Sequence, residues 1–307
     1  FLGNRIVGHE NALYINHQGN RIWGIGSASR RTCIMSNPFG VSRGNVFHNN
    51  VGFGWYSNVA FPTRLRSDGD GYVTDSRSCL PFNLSSGAEL GAVTTVSDHV
   101  EYFTDFALGF YDFSDLALVN YTSALNNKGM YAKTLRRASG TPPLCTNCTF
   151  HKNSIGLLGP GGSASVEFVR TRFTGGGVAS FGINHHCGLA GEQTGGLCAS
   201  HYVVDALATD GGSLRFDDGA AGGRSDAVIT EVTSSASGGE VRRSRFSRYA
   251  NALFDTSACA LDGSWKVCPP SYDVRVLRIY SPDRGTLTAT VDGDAATTYA
   301  IPHRGEN

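Results

Sequence analysis

The sequence predicts an all-β protein, a parallel β-solenoid whose short strands wind into coils stacked along one axis. One observation behind this is a phrase that recurs. It reads Asn45-Val46-Phe47-His48-Asn49-Asn50, then Asn147-Cys148-Thr149-Phe150-His151-Lys152-Asn153, and in looser form Glu240-Val241-Arg242-Arg243-Ser244-Arg245-Phe246. A Gly- or Ala-containing apolar step follows each copy: Gly52-Phe53-Gly54-Trp55, Gly156-Leu157-Leu158 and Ala250-Asn251-Ala252-Leu253-Phe254. A repeated unit this short cannot bury its own apolar face and must stack on its neighbours. The second observation is period-two alternation in runs too short for an ordinary sheet. The third is composition: 39 of the 307 residues are Gly, 17% are charged, Lys occurs four times, and no amphipathic helical run stands out.

Taken in order, residues 1 to about 60 carry coils rich in Asn, Gly and aromatics, among them Asn11-Ala12-Leu13-Tyr14-Ile15-Asn16 and Asn20-Arg21-Ile22-Trp23-Gly24-Ile25-Gly26. Asn suits the corners because it tolerates left-handed backbone angles, and stacked Asn side chains bond in ladders. From Pro62 to Asp98 the pattern fades into a polar, Gly/Ser-rich stretch that reads as a long insertion. Coils resume near Val100 and run to about Leu253. Within them Leu116-Ala117-Leu118-Val119-Asn120-Tyr121 alternates, and in Ser165–Phe173 the residues Val166, Phe168 and Val169 are expected inside while Glu167, Arg170 and Arg172 face water. A Gly-rich loop, 182–198, interrupts them. The β-helix is thus expected over 1–268. Beyond it, 269–307, lie the strand-like Tyr272–Tyr280 and the run Thr286–Asp294, where Asp292-Gly293 signals a tight turn and a capping hairpin.

Lys+Arg and Asp+Glu both number 26, so no overall field draws the chain to nucleic acid or anionic lipid. Arg242, Arg243, Arg245 and Arg248 read as the solvated side of a strand rather than a phosphate reader. No segment approaches the roughly 20 apolar residues of a membrane span. The chain opens Phe1-Leu2-Gly3-Asn4-Arg5 with no initiator Met and no signal peptide, which reads as a mature product or a piece of something longer.

Eight Cys set the compartment. Near neighbours suggest the pairs Cys145/Cys148, Cys187/Cys198 and Cys259/Cys268, leaving Cys33 with Cys79, although eight thiols allow about 105 connectivities. Three sequons accompany them, at Asn83, Asn120 and Asn147, and the two features together favour a secreted, N-glycosylated protein. Asn147 is the least suitable acceptor, being enclosed by Cys145 and Cys148. Metal binding is the competing use: Cys145-Thr146-Asn147-Cys148 has zinc-knuckle spacing and His185-His186-Cys187 offers ligands in a row. No second Cys-x-x-Cys completes a ribbon, and adjacent His on extended chain point to opposite faces. Neither a metal nor another cofactor is therefore expected.

The run Cys33-Ile34-Met35-Ser36-Asn37-Pro38, followed by Gly44-Asn45-Val46-Phe47-His48-Asn49-Asn50-Val51-Gly52-Phe53-Gly54-Trp55-Tyr56, resembles the β-helix segment of the cell-migration-inducing hyaluronidase and fibrocystin-like proteins. Phe254-Asp255, continuing to Leu261-Asp262-Gly263-Ser264, is similar to the exit from that helix, with a Cys-containing insertion between the halves. The resemblance extends loosely over residues 1 to 265 and is specific over the first 60. It implies a right-handed parallel β-helix at a cell surface or in extracellular matrix. Some members depolymerise hyaluronan, but the family's amino-terminal module has no counterpart in these residues, and fold likeness alone assigns no activity.

Three uses compete. An enzyme acting on polysaccharide would need paired acids on one solvent-facing sheet. Asp98, His99 and Glu101 are the leading trio; Asp105, Asp112, Asp115, Asp217 and Asp218 have ready explanations as turn residues. A recognition scaffold would present rings to sugars, from Tyr102, Phe103, Phe106, Phe110, Tyr111 and Phe113 or from Trp55 and Tyr56, where core packing is the competing use. A filament subunit would join coils end to end, because Arg5-Ile6-Val7-Gly8 begins as a strand without a capping helix. The expectation is an extracellular scaffold with a structural or surface-recognition role, partnered by itself, by N-glycans or by polysaccharide. The alternative is a hyaluronidase-type enzyme.

Overall fold

The computed structural model describes residues 1–15, 41–57, 93–113, 116–135, 142–158, 165–181, 199–216, 226–234, 240–246, 256–263, 265–272, 286–289 and 297–300. They form strands and no helix. In chain order these are β1 (Arg5–Val7), β2 (Asn11–Ile15), β3 (Ser42–Arg43), β4 (Val46–His48), β5 (Phe53–Ser57), β6 (Thr94–Ser97), β7 (Val100–Tyr102), β8 (Phe106–Phe113), β9 (Leu116–Val119), β10 (Thr122–Ala124), β11 (Lys128–Leu135) and β12 (Cys145–Thr146). There follow β13 (Thr149–His151), β14 (Ile155–Leu158), β15 (Ser165–Thr174), β16 (Val178–Phe181), β17 (Ala199–Thr209), β18 (Ser213–Phe216), β19 (Asp226–Ser234), β20 (Glu240–Phe246), β21 (Ala260–Asp262), β22 (Trp265–Val267), β23 (Thr286–Ala289) and β24 (Thr297–Ala300).

Strands three apart in sequence pair in parallel over the first repeats, so that β4 lies between β1 and β7, and β5 between β2 and β8. The result is a 15-stranded sheet and a seven-stranded sheet, β2-β5-β8-β11-β14-β16-β18. In-register stacking turns each inward position into a row along the pile. One row is Leu13, Trp55, Leu108, Met130, Leu157, Ala179 and Leu214. Another is Val96, Leu118, Cys145, Phe168 and Val204. A third runs Ile6, Phe47, Glu101, Ser123, Phe150, Phe173 and Ala208. The buried members of these rows form one apolar cluster, interrupted in the third row by Glu101 and Ser123.

Each repeat turns through corners where one residue takes a left-handed backbone. Successive backbone hydrogen bonds align Gly3, Gly44, Asp98, Asn120 and Asn147 at one corner, and Arg170 takes up the same place in β15. Gly8, Asn49, Phe103, Leu125, Lys152 and Gly175 line the other. Asn, Asp and Gly adopt this conformation with little strain. Arg170 also explains why β15 departs from strict alternation. Val166 and Phe168 point inward as the pattern predicts, but the left-handed step shifts the phase, so Thr171 and Phe173 become the buried residues.

The repeated phrase is structural: Phe47 and Phe150 share an interior row, His48 and His151 an outer one. Its third copy is not equivalent. β20 pairs antiparallel with β19, and β21, β22 and β20 continue antiparallel, so parallel stacking ends at β19 and the Glu240–Phe246 phrase belongs to a terminal sheet. The expected insertion is also shorter at its far end, because Thr94–Ser97 is already the strand β6 pairing with β3 and β9. Residues 62–92 and the Gly-rich loop 182–198 lie outside the described residues, as does the stretch 273–280. β23 and β24 pair antiparallel, as the expected terminal hairpin requires, with Asp292 and Gly293 between their ends.

Candidate functional site

Two rows set functional side chains on opposite sides of the sheet wall. The first lies inside. Hydrogen bonds from Val46, Val100, Thr122, Thr149 and Arg172 amides to the carbonyls of Asn4, Asn45, His99, Tyr121 and Cys148 place those carbonyl residues one above another. Asn45, His99, Tyr121 and Cys148 are all buried. His99 Nε2 lies 2.8 Å from Glu101 Oε1, and both side chains are essentially without solvent contact. The Phe47 ring meets His99 edge-on at 4.5 Å, and the Tyr121 ring stacks with His99 at 5.9 Å. Gly54 clears room for the carboxyl, since a Cβ there would run into Glu101 Oε2. Burial pushes Glu101 well above the usual carboxylate range, partly opposed by the Tyr121 hydroxyl, and drives His99 down to about 3. Burial, reinforced by Glu101, likewise raises the Tyr121 phenol.

This geometry separates the three candidate residues Asp98, His99 and Glu101. Asp98 occupies the left-handed corner and faces out, where Asn120 donates to its Oδ1 at 3.0 Å and Arg43 to its Oδ2 at 3.1 Å. These bonds hold the Asp98 carboxyl below its ordinary value. His99 and Glu101 face in. The corner at Asp98 thus separates its carboxyl, outside, from the enclosed His99–Glu101 pair, and the three do not meet at one surface.

The outward row continues the corner ladder: Asn147 Nδ2 donates to Asn120 Oδ1 at 2.7 Å. Both sequon asparagines are exposed, whereas Asn83 lies outside the described residues. Cys145 and Cys148 are buried and carry no disulfide, which corrects the pairing expected from their spacing. Cys145 belongs to one interior row and Cys148 to another, with the corner residue Asn147 between them, and Cys148 Sγ lies 3.7 Å from the Leu118 carbonyl. Cys259 and Cys268 are bonded as expected; Cys33, Cys79, Cys187 and Cys198 lie outside the described residues. No cluster of three metal-ligating side chains occurs among the described residues. No helix among them is long and apolar enough to cross a membrane.

The second site is the outer face of the seven-stranded sheet. Tyr14 and Tyr56 pair in register and stack at 5.3 Å, while Phe53 and Phe106 do the same at 4.7 Å. Tyr131 meets Phe106 edge-on at 6.0 Å, and the Lys128 ammonium sits 3.8 Å over the Phe106 ring. Gly109 makes this packing possible, because any Cβ there would clash with the Phe53 ring. The expectation for Trp55 and Tyr56 therefore separates: Trp55 is wholly buried in the core row, while Tyr56 stands on the outside with the other rings. Phe103, at a left-handed corner, is 53% exposed rather than core. Sequence alone missed the selection, because it depends on which positions come into register across repeats separated by unequal loops.

On the terminal sheet Arg245 pairs with Glu231 and Asp262 at 2.9 and 2.6 Å, while Arg242 and Arg243 are exposed, with Arg242 bonded to Glu240. The basic stretch is thus in part neutralised.

The fold and these rows define the protein's class: all-β, built of parallel strands stacked in register. No protein-family model, curated protein or solved structure matches the chain.

Proposed function

We propose that this chain is a right-handed parallel β-helix that serves outside the cell as a glycosylated recognition scaffold, binding an extended saccharide polymer rather than cleaving it. The observation that carries the reading is the ladder of rings Tyr14, Tyr56, Phe53, Phe106 and Tyr131 on one outer face, with Lys128 among them. Aromatic faces pack against the apolar faces of sugar rings, and each stacking contact contributes on the order of 1 kcal/mol. Rings repeated along the pile give a polymer several such contacts in line. The Cys259–Cys268 disulfide and the exposed sequons at Asn120 and Asn147 support an oxidising, glycosylating compartment. The resemblance in the first 60 residues points the same way.

Hydrolysis is the weaker reading, since Glu101 and His99 are enclosed and Asp98 faces away from them. Binding of the full chain to a panel of immobilised polysaccharides tests the proposal. A polymer that binds, and whose affinity falls about threefold to tenfold in each of Tyr56→Ala and Phe106→Ala, is the expected result. Binding indifferent to both substitutions, or release of reducing ends by the wild type, refutes it.

A further inference from the structure

We infer that His99 and Glu101 form a buried proton clamp: the folded chain holds one proton in excess of neutral imidazole and carboxylate between them, so the middle repeats are held most firmly in mildly acidic surroundings. The argument is geometric first. Two acceptor atoms cannot rest 2.8 Å apart without a hydrogen between them, so His99 Nε2 and Glu101 Oε1 share one. A neutral imidazole donating to a bare carboxylate would satisfy that distance, but it would leave an anion with no solvent contact, eased by the neutral Tyr121 hydroxyl and by no charged group. Among the described residues no cation faces it. The elements packed around the pair contribute Phe47 from β4, Gly54 from β5 and Ala107 from β8; Tyr121 and Ser123 come from the repeat above and Cys145 and Cys148 from the next, and of these only Tyr121 and the thiols titrate. Asp98 and Arg43, close in sequence or space, pair with each other on the outside. An unpaired buried charge is far more costly than a neutral pair or an ion pair. Either of those, carboxylic acid with imidazole or carboxylate with imidazolium, contains one more proton than the bare alternative, and the pair titrates as a unit.

The consequence follows from linkage. In the unfolded chain the two groups titrate near 6.5 and 4.5. Above pH 6.5 the unfolded chain holds no such proton and the native pair holds one, so stability falls as pH rises. Between 4.5 and 6.5 both states hold one, and this contribution is level. Below 4.5 the unfolded chain holds two, and stability falls again as pH drops toward 3. The directions for each group alone, Glu101 raised and His99 lowered, sum to the same plateau.

The test is denaturant unfolding of the full chain, wild type against Glu101→Gln, followed by tryptophan fluorescence between about pH 6.5 and 8. The ratio of folding constants, wild type over E101Q, is expected to fall about tenfold per pH unit. Parallel curves overturn the clamp. Should E101Q fail to fold, spectroscopy of the isotopically labelled wild type decides: at about pH 8 the native protein should show either one protonated glutamate carboxyl by infrared or one doubly protonated histidine by nitrogen NMR. Finding neither overturns it.

Discussion

Asn153 accepts the Asn126 backbone N–H at 3.0 Å through its side-chain oxygen, and Asn126 does the same for Thr104 at 2.8 Å. Their side-chain nitrogens reach back to the carbonyls of Ser123 and Glu101. Asn50 extends the pattern by accepting from the His9 amide. Each asparagine therefore satisfies backbone groups that the turn of the chain would leave buried and unpaired, a defect worth about 1–3 kcal/mol per group. Asn126→Ala is expected to lose about 3 kcal/mol of unfolding free energy in urea, and Asn147→Gly, which removes the exposed ladder bond but keeps a residue at ease in the left-handed corner, under about 1 kcal/mol. Equal losses at the two sites would refute this division between inner and outer ladders.

The outer ladder limits modification. Because Asn147 Nδ2 lies 2.7 Å from Asn120 Oδ1, glycans on both asparagines would leave the surface from nearly one point. Expression through a eukaryotic secretory pathway should give molecules carrying a glycan at Asn120 or at Asn147 but not both. Intact-mass analysis of an Asn83→Gln variant reads this directly, as one glycan at most against two.

The corners and the core were legible in the sequence to different degrees. Asn and Gly announced turns because few other residues accept a left-handed backbone without strain, and the shared phrase marked a repeat, whose Phe47 and Phe150 the strand register sets in one interior row. The pattern failed where a corner fell inside a strand, as at Arg170, and where a polar residue points inward, as at Glu101. Glu101 is the more instructive case. A carboxylate in a strand reads as solvent-facing, and only the register with Phe47 and Ser123 shows it in the core. The Cys145/Cys148 spacing misled for a related reason: proximity in sequence says nothing about two side chains entering different rows around a corner.

Those two thiols supply a third prediction. Both are buried, so a thiol reagent should leave them untouched in the native protein and label them only after unfolding. Reducing the Cys259–Cys268 bridge, which closes a separation of nine residues, should cost about 2–3 kcal/mol. Peptide mapping after alkylation in native and denaturing buffer distinguishes the sites. Rapid native labelling at Cys145 or Cys148 would contradict their placement.

Gly54 and Gly109 offer the sharpest comparison, because both occupy the seven-stranded sheet and each admits no Cβ, yet for opposite reasons. At Gly54 the added methyl meets the Glu101 carboxyl and the Ala107 carbonyl inside the pile; at Gly109 it meets the Phe53 and Tyr56 rings outside. Overpacking in a closed interior costs about 1–3 kcal/mol, whereas surface rings swing away at smaller cost. Gly54→Ala should therefore lower the melting temperature clearly and disturb the pH profile set by the His99–Glu101 pair. Gly109→Ala should leave that profile intact but weaken saccharide binding by splaying the ring ladder. A thermal melt and one binding isotherm for each variant check both halves, and the assignment of inner and outer faces fails if the two effects are exchanged.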